Sequence, residues 1–157
     1  FTQVAYGTPQ EVKNLIGHLA YVFEGIKSVS SIKAYHMNIK LNDREYNEAF
    51  VYGMVTNSLS VGGIYKLKRD SVKLDDGLFE VMLIREPKSA IELSSITSYL
   101  LGIDSSSALV EIIKTDKISF LAKEALPWTI DGEYGGTLTD VTITNKPRAL
   151  KIIDHLK

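Results

Sequence analysis

Residues 128–136 read Trp-Thr-Ile-Asp-Gly-Glu-Tyr-Gly-Gly, so a short apolar run leads directly into a glycine with an acid on each side. If this stretch is a strand, Asp131 and Glu133 share a face, because side chains two residues apart point the same way. The glycine between them allows a tight bend and a close approach of the backbone to another group. Two interpretations are open: a hairpin whose acids are solvated, or a bend that presents a carboxylate for chemistry.

Short runs rich in β-branched and aromatic residues surround this stretch and are typical of strands. In the second half of the chain they cover about 109–114, 117–122, 128–131, 138–144 and 148–153, with breaks at 115–116, 124–127, 134–136 and 145–147. In the first half, strands are predicted at about 30–41, 48–57 and 78–84, and residues 58–77 form a long irregular connection. No βαβ alternation is visible, so the pattern favours a sandwich or a folded-over sheet.

Two segments have the period of a helix. The first covers about residues 9–26, where Thr8 can cap the helix and Glu11 completes a capping box. Its apolar stripe comprises Val12, Leu15, Ile16, Leu19, Phe23 and Ile26. The second covers about 89–101, with Gly102 as a stop signal and an apolar stripe of Leu93, Ile96 and Leu100. The predicted fold is therefore mainly β with two helices, in a two-layer β-sandwich-like arrangement.

The composition limits the classes of function. Basic and acidic residues number 18 and 19 and are mixed along the chain, so there is no basic field that would favour nucleic acid. The chain has no cysteine, which fits a reducing compartment, and no apolar run reaches the roughly 18 residues needed to span a bilayer. We expect a cytoplasmic protein that is soluble or at most peripheral to a membrane. Because the chain starts at Phe1, we also expect it to be a piece of a longer protein.

A second acidic turn, Asp75-Asp76-Gly77, precedes the strand predicted at 78–84. Hard cations such as magnesium prefer carboxylate and carbonyl oxygens, and irregular backbone around an aspartate supplies both. Asp-Gly is also a common turn dipeptide, so an ordinary turn is the alternative. The three histidines have no spacing typical of zinc, and no cysteine can assist them.

Several elements occur in a fixed order along nearly the whole chain. They are residues 13–21 with Gly17, Ala20 and Tyr21, then Asn57, Gly62-Gly63, Asp75-Asp76-Gly77-Leu78 and Asp131-Gly132-Glu133. No one of these motifs is specific, but the ordered set resembles the diacylglycerol kinase catalytic family, in particular its bacterial and sphingosine-kinase-like members.

The resemblance implies a division into domains. In that family an N-terminal α/β domain carries a Gly-Gly-Asp-Gly-Thr stretch that handles ATP, and a C-terminal β-rich domain completes the lipid site. This chain contains no Gly-Gly-Asp-Gly-Thr and resembles the second part only. Residues 1–157 are thus expected to be the C-terminal lipid-binding domain of a lipid kinase, without its N-terminal ATP-binding domain.

The same resemblance implies roles for individual residues. Glu133 matches the family's proposed general base, and Asp131 lies nearby in the acidic network. Asp76, with backbone oxygens of Lys73 and Leu78, matches a magnesium position, for which we expect a structural role. ATP is the implied phosphoryl donor, bound mainly by the absent domain, and the implied partner is a diacylglycerol-like lipid. Members of the family often form homodimers through this domain.

The expected function is therefore ATP-dependent phosphorylation of the hydroxyl of diacylglycerol or a similar lipid, with this chain inactive alone. One alternative is a β-rich module that binds a lipid or a partner without chemistry. Another is a polyphosphate-dependent kinase of the related NAD-kinase superfamily, which would need a polar substrate cleft. The apolar strands of this chain favour the lipid kinase over that third candidate.

Overall fold

The computed structural model describes residues 32–58, 60–61, 65–66 and 75–149. The helix predicted over 9–26, the Gly62-Gly63 pair, Lys73 and most of the strand predicted over 148–153 lie outside these residues. The strands are β1 Tyr35–Leu41, β2 Arg44–Thr56, β3 Ser60–Val61, β4 Tyr65–Lys66, β5 Phe79–Arg85, β6 Val110–Thr115, β7 Lys117–Ile130 and β8 Glu133–Thr144, and the helix α1 is Ala90–Leu100. The prediction of a mainly β fold is confirmed.

One six-stranded sheet, in the order β6-β5-β2-β1-β7-β8, organises the described residues, and β3 pairs with β4 in a small second sheet. All neighbouring strands of the large sheet are antiparallel. The first hairpin turns at Asn42 and Asp43, because Leu41 pairs directly with Arg44. The Asn42 side chain donates to the carbonyl of Lys114 at 2.9 Å, which ties this turn to the end of β6.

Two of the predicted breaks are wrong. Strand β7 runs without interruption from residue 117 to residue 130, through the predicted break at 124–127, and β8 includes the predicted break at 134–136. Strand β1 pairs with β7 only as far as Ala122, so beyond that point β7 is bonded only to β8. An edge strand tolerates proline, which lacks an N–H donor, and Pro127 lies in this edge segment opposite Thr137. The irregularity at this point is a register shift between Leu121 and Leu126.

Alternation along β5 divides the interior into two clusters. Met82 and Ile84 pack with Ile96 and Leu100 of α1 on one face of the sheet. Val81 and Leu83 belong to the larger cluster on the other face, together with Met37, Ile39, Leu41, Tyr46, Phe50, Ile113, Ile118, Phe120 and Leu126. The helical stripe predicted for α1 therefore packs against the sheet as expected.

Helix α1 begins and ends where the sequence predicts. Ser89 is the N-cap, and its Oγ accepts a hydrogen bond from the Glu92 N–H at 3.2 Å. At the other end Gly102 has a φ of 70°, and the N–H of Ile103 bonds to the carbonyl of Ser98 at 2.9 Å. That geometry is a Schellman motif, which needs a left-handed residue and so explains the glycine.

A charged network covers the end of the larger cluster. The Glu111 carboxylate accepts hydrogen bonds from Arg44 at 2.7 Å, Arg85 at 2.8 Å and the Tyr46 hydroxyl at 2.9 Å. Arg85 also bonds to Glu48 at 2.6 Å. Burial of the Glu111 carboxyl opposes its ionisation. The hydrogen bonds from Arg85 and Tyr46, together with the positive charges of Arg85 and Arg44, outweigh that effect, and the pKa of Glu111 lies below the ordinary 4.5.

The lowered pKa of Glu111 predicts a pH-dependent contribution to stability. A carboxyl whose pKa is lower in the folded state stabilises the fold above its unfolded pKa, and the contribution is lost as the pH falls through the folded pKa. We expect Glu111→Gln to be less stable than wild type near neutral pH, with the difference narrowing below about pH 4.5. Urea unfolding at several pH values measures this. Glu124→Gln, at an exposed site on β7, is the control. Its free energy of unfolding should follow that of wild type at every pH.

Candidate functional site

Asp131 and Gly132 form the two-residue turn between β7 and β8. Ile130 pairs with Glu133 across the turn, and the φ angles of Asp131 and Gly132 are 50° and 90°. Positive φ at both central residues is the type I′ hairpin geometry, for which Asp-Gly is a preferred sequence. The stretch is therefore a hairpin. Asp131 lies in the turn and Glu133 is the first residue of β8, so the two acids do not share one strand face as the sequence suggested.

The turn is the tip of an arm formed by residues 123–137, where β7 and β8 bond only to each other within the part of the chain that the structure describes. Both acids at the tip are exposed. The apolar side chains beside them are exposed as well, with Ile130 at 63 % and Tyr134 at 73 %. The arm therefore presents two carboxylates beside two exposed apolar side chains.

Packing within the arm depends on a glycine. A Cβ on Gly135 would lie 2.8 Å from Cγ1 of Ile130 and 3.3 Å from the carbonyl oxygen of Trp128, so no larger residue fits there without a shift. Within the arm the Trp128 ring packs edge-on against Phe120, with ring centroids 5.1 Å apart. These contacts connect the arm to the larger cluster and hold the position of the tip.

The second predicted site is the turn before β5. The Leu78 N–H donates to Oδ1 of Asp76 at 2.9 Å, and Gly77 between them has a φ of 77°. Oδ2 of Asp76 lies 3.4 Å from the ammonium of Lys114 on β6. The same ammonium lies 3.4 Å from Oε1 of Glu80, whose side chain is only 3 % exposed. The structure thus brings together Asp76, Glu80 and Lys114.

The fit of this turn to a magnesium ion can be tested on its own oxygens. Neither carboxylate oxygen of Glu80 accepts a hydrogen bond from any described residue, although both are buried. The Lys114 ammonium at 3.4 Å balances the charge of Glu80, but the missing hydrogen bonds of a buried carboxylate remain costly. Asp76 supplies a second carboxylate, and such oxygens are the ligands that hard cations prefer. The residues therefore fit a divalent cation, although the described residues contain no group of three or more acid, histidine or cysteine side chains able to hold one.

The two acidic turns are not brought together. A Cβ on Gly77 would lie 3.4 Å from Pro147, which follows the end of β8, whereas the arm tip is at the start of β8. The strand between them has 12 residues, a contour length on the order of 40 Å. A cation at Asp76 would therefore be separate from Glu133, as expected for a structural ion.

Sequence reasoning missed Glu80 and Lys114. The available signal was an acid inside an otherwise apolar run at 79–84, on the strand face occupied by Met82 and Ile84. Its partner could not be identified from the sequence, because the pairing of Glu80 with Lys114 depends on the register of β5 and β6. A cavity of about 300 Å³ over β1, β7 and β8 is lined by none of the predicted site residues.

Residues 3–154 match the model of a protein family described as the YegS C-terminal NAD kinase beta sandwich-like domain. The chain belongs to this family. The resemblance inferred from the ordered motifs and the sandwich-like fold class are thereby confirmed. Among the described residues of this YegS C-terminal domain, no helix has the length and apolar character needed to cross a bilayer.

Relatives of the YegS C-terminal domain include named kinases. The chain is 28 % identical over 137 residues to a diacylglycerol kinase of Bacillus subtilis (strain 168), covering 87 % of this chain and 45 % of that protein. It is 34 % identical over 140 residues to a diacylglycerol kinase of Staphylococcus saprophyticus, with the same two coverages. The chain thus spans less than half the length of these relatives.

A solved structure shows the same fold. The crystal structure of a candidate diacylglycerol kinase from Bacillus anthracis str. Sterne superposes with a TM-score of 0.59 at 20 % sequence identity. The match covers 94 % of this chain and 51 % of that one. The YegS C-terminal fold therefore corresponds to about half of the solved chain.

Proposed function

We propose that this chain is the C-terminal domain of an ATP-dependent kinase that phosphorylates the hydroxyl of diacylglycerol or a similar lipid. The observation that carries the proposal is the exposed Glu133 carboxylate at the tip of an arm flanked by exposed Ile130 and Tyr134. A base that acts on a lipid alcohol must reach a polar hydroxyl attached to an apolar body, and this surface offers both kinds of contact. The relatives named diacylglycerol kinase support the assignment.

In the proposed reaction Glu133 accepts the proton of the lipid hydroxyl as its oxygen attacks the γ-phosphorus of ATP. Asp131 supports the acidic environment of the tip, and Ile130 with Tyr134 contacts the apolar part of the lipid. Bound magnesium would neutralise charge on the phosphates of ATP. An N-terminal domain outside this chain holds the ATP, and the arm faces the cleft between the two domains.

The substrate class is tested with the longer protein that we propose contains this chain. It is incubated with Mg-ATP and, separately, with diacylglycerol, sphingosine or NAD, and the phosphorylated products are identified by mass spectrometry. A phosphorylated lipid supports the proposal. Phosphorylation of NAD alone would favour the NAD-kinase alternative, and lipid binding without any phosphorylated product would favour the non-catalytic module.

We also propose a structural magnesium ion at the Asp76 turn, with Asp76 and backbone oxygens of Lys73 and Leu78 as ligands. The orphaned oxygens of buried Glu80 beside this turn support it. An ion that binds only the folded state stabilises it, by about 2.7 kcal/mol at 100 times its dissociation constant. Melting temperature measured against magnesium concentration should therefore rise in wild type. It should stay flat in Asp76→Ala, and an unchanged shift in that variant would contradict the assignment.

A further inference from the structure

We propose that Lys114 is a tethered counterion that competes with a divalent cation for the Asp76 and Glu80 carboxylates. The inference rests on the proposed cation site at the Asp76 turn and assigns the residue that regulates its occupancy. Lys114 thus makes the turn stable without the ion and weakens its affinity for the ion.

The Lys114 ammonium contacts two carboxylates at once. It lies 3.4 Å from Oδ2 of Asp76 and 3.4 Å from Oε1 of Glu80, so one positive charge serves two carboxylates. Glu80 and Lys114 are direct partners across β5 and β6. The register of these two strands therefore holds Lys114 next to the Glu80 carboxylate. Without the ammonium, two negative charges would lie close together with one of them buried. Like charges at close range repel, and burial strengthens that repulsion.

Glu80 is paired with Lys114 by charge but not by a hydrogen bond. The distance to Lys114 is short enough for an ion pair, yet neither Glu80 oxygen accepts a hydrogen bond from a described residue. The ammonium therefore balances the charge of the buried carboxylate without satisfying its lone pairs. A divalent cation bound at Asp76, with Glu80 as an additional ligand, would satisfy both requirements, because it bonds directly to carboxylate oxygens at short range.

The three side chains differ in their exposure to solvent. The Lys114 side chain is 38 % exposed, whereas those of Asp76 and Glu80 are 20 % and 3 % exposed. A lysine ammonium sits on a flexible stem of four carbons and is strongly hydrated. Lys114 can therefore move its charge to solvent when a cation arrives, while Glu80 is held in the sheet. Competition between the two cations then follows from linkage, since each weakens binding of the other.

The test measures magnesium affinity by calorimetry and by the magnesium-dependent melting shift. It compares wild type with Lys114→Met, Lys114→Arg and Lys123→Met, the last at an exposed lysine on β7 as a matched control. Without the ion, Lys114→Met should melt at a lower temperature than wild type. It should bind magnesium on the order of tenfold more tightly, and saturating magnesium should restore much of the lost melting temperature. Lys114→Arg keeps the charge and should not show the tighter binding. Lys123→Met should behave as wild type.

A double variant keeps the test decisive if Lys114→Met alone folds poorly. Glu80→Gln removes the buried charge, so the combined Glu80→Gln, Lys114→Met variant should fold and lose the gain in affinity. Equal or weaker binding in a folded Lys114→Met protein would overturn the competition while leaving the cation site intact. An absence of magnesium binding in wild type and all variants would overturn the cation site as well, so the two failures are distinguishable.

Discussion

Replacing Glu133 with glutamine in the longer protein should lower turnover of the proposed lipid kinase reaction by roughly 10²–10⁴-fold. Glutamine keeps the size of the side chain but cannot accept the proton of the lipid hydroxyl. Glu133 is exposed on the tip of the arm, so the change should leave folding almost unaffected. Steady-state kinetics with diacylglycerol and Mg-ATP, together with melting temperatures, measure both effects.

Asp131→Asn is the matched control for that experiment. Asp131 has a φ of 50°, and asparagine tolerates this left-handed conformation as well as aspartate does, so the hairpin should be kept. Because the proposed mechanism gives Asp131 only a supporting role, turnover should fall less than in the glutamine variant. Turnover near the wild-type value in a folded Glu133→Gln protein would remove Glu133 from the mechanism.

Replacing Phe50 with alanine should have the largest effect on stability among the substitutions considered, lowering the free energy of unfolding by about 3–5 kcal/mol. Phe50 is only 1 % exposed and lies in the larger cluster, with Tyr46 edge-on to its ring at a centroid distance of 6.5 Å. Alanine leaves a cavity that the packed strands around it cannot fill. For a domain of this size, the melting temperature should fall by about 6–20 °C.

Ile91→Ala on helix α1 tests whether burial is the cause of the stability loss expected for Phe50→Ala. The Ile91 side chain is 82 % exposed, and alanine has the higher helix propensity, so the free energy of unfolding should change by less than about 0.5 kcal/mol. Urea unfolding of both variants gives the comparison. Similar losses at Phe50 and Ile91 would mean that the larger cluster does not dominate the stability of the described fold.

Local signals in the sequence predicted much of the fold. The Asp-Gly pair predicted the hairpin turn, and Ser89 with Gly102 predicted the limits of α1, because these residues act on the backbone next to them. The sequence predicted a break at residues 124–127 of β7, because proline, here Pro127, is typical of loops. Its strand conformation depends on being at an edge, which is a property of the assembled sheet.

The candidate site shows the same limit. Glu133 and Asp76 could be proposed as site residues from the order of the motifs, because the residues themselves carry the resemblance. Glu80 and Lys114 could not, since residues 34 positions apart in the chain meet only when β5 and β6 pair in one register. The separation of the two acidic turns along β8 is likewise a consequence of strand pairing.

The most direct test of the central claim compares the 157-residue chain with the longer protein that we propose contains it. Both are assayed for transfer of the γ-phosphate of Mg-ATP to diacylglycerol in detergent micelles, with folding of each verified by its melting transition. The account predicts phosphorylated lipid from the longer protein and none above background from the chain alone, because the chain supplies Glu133 but not the ATP site. Robust phosphorylation by the chain alone, or no phosphorylation of any lipid alcohol by the folded longer protein, would contradict it.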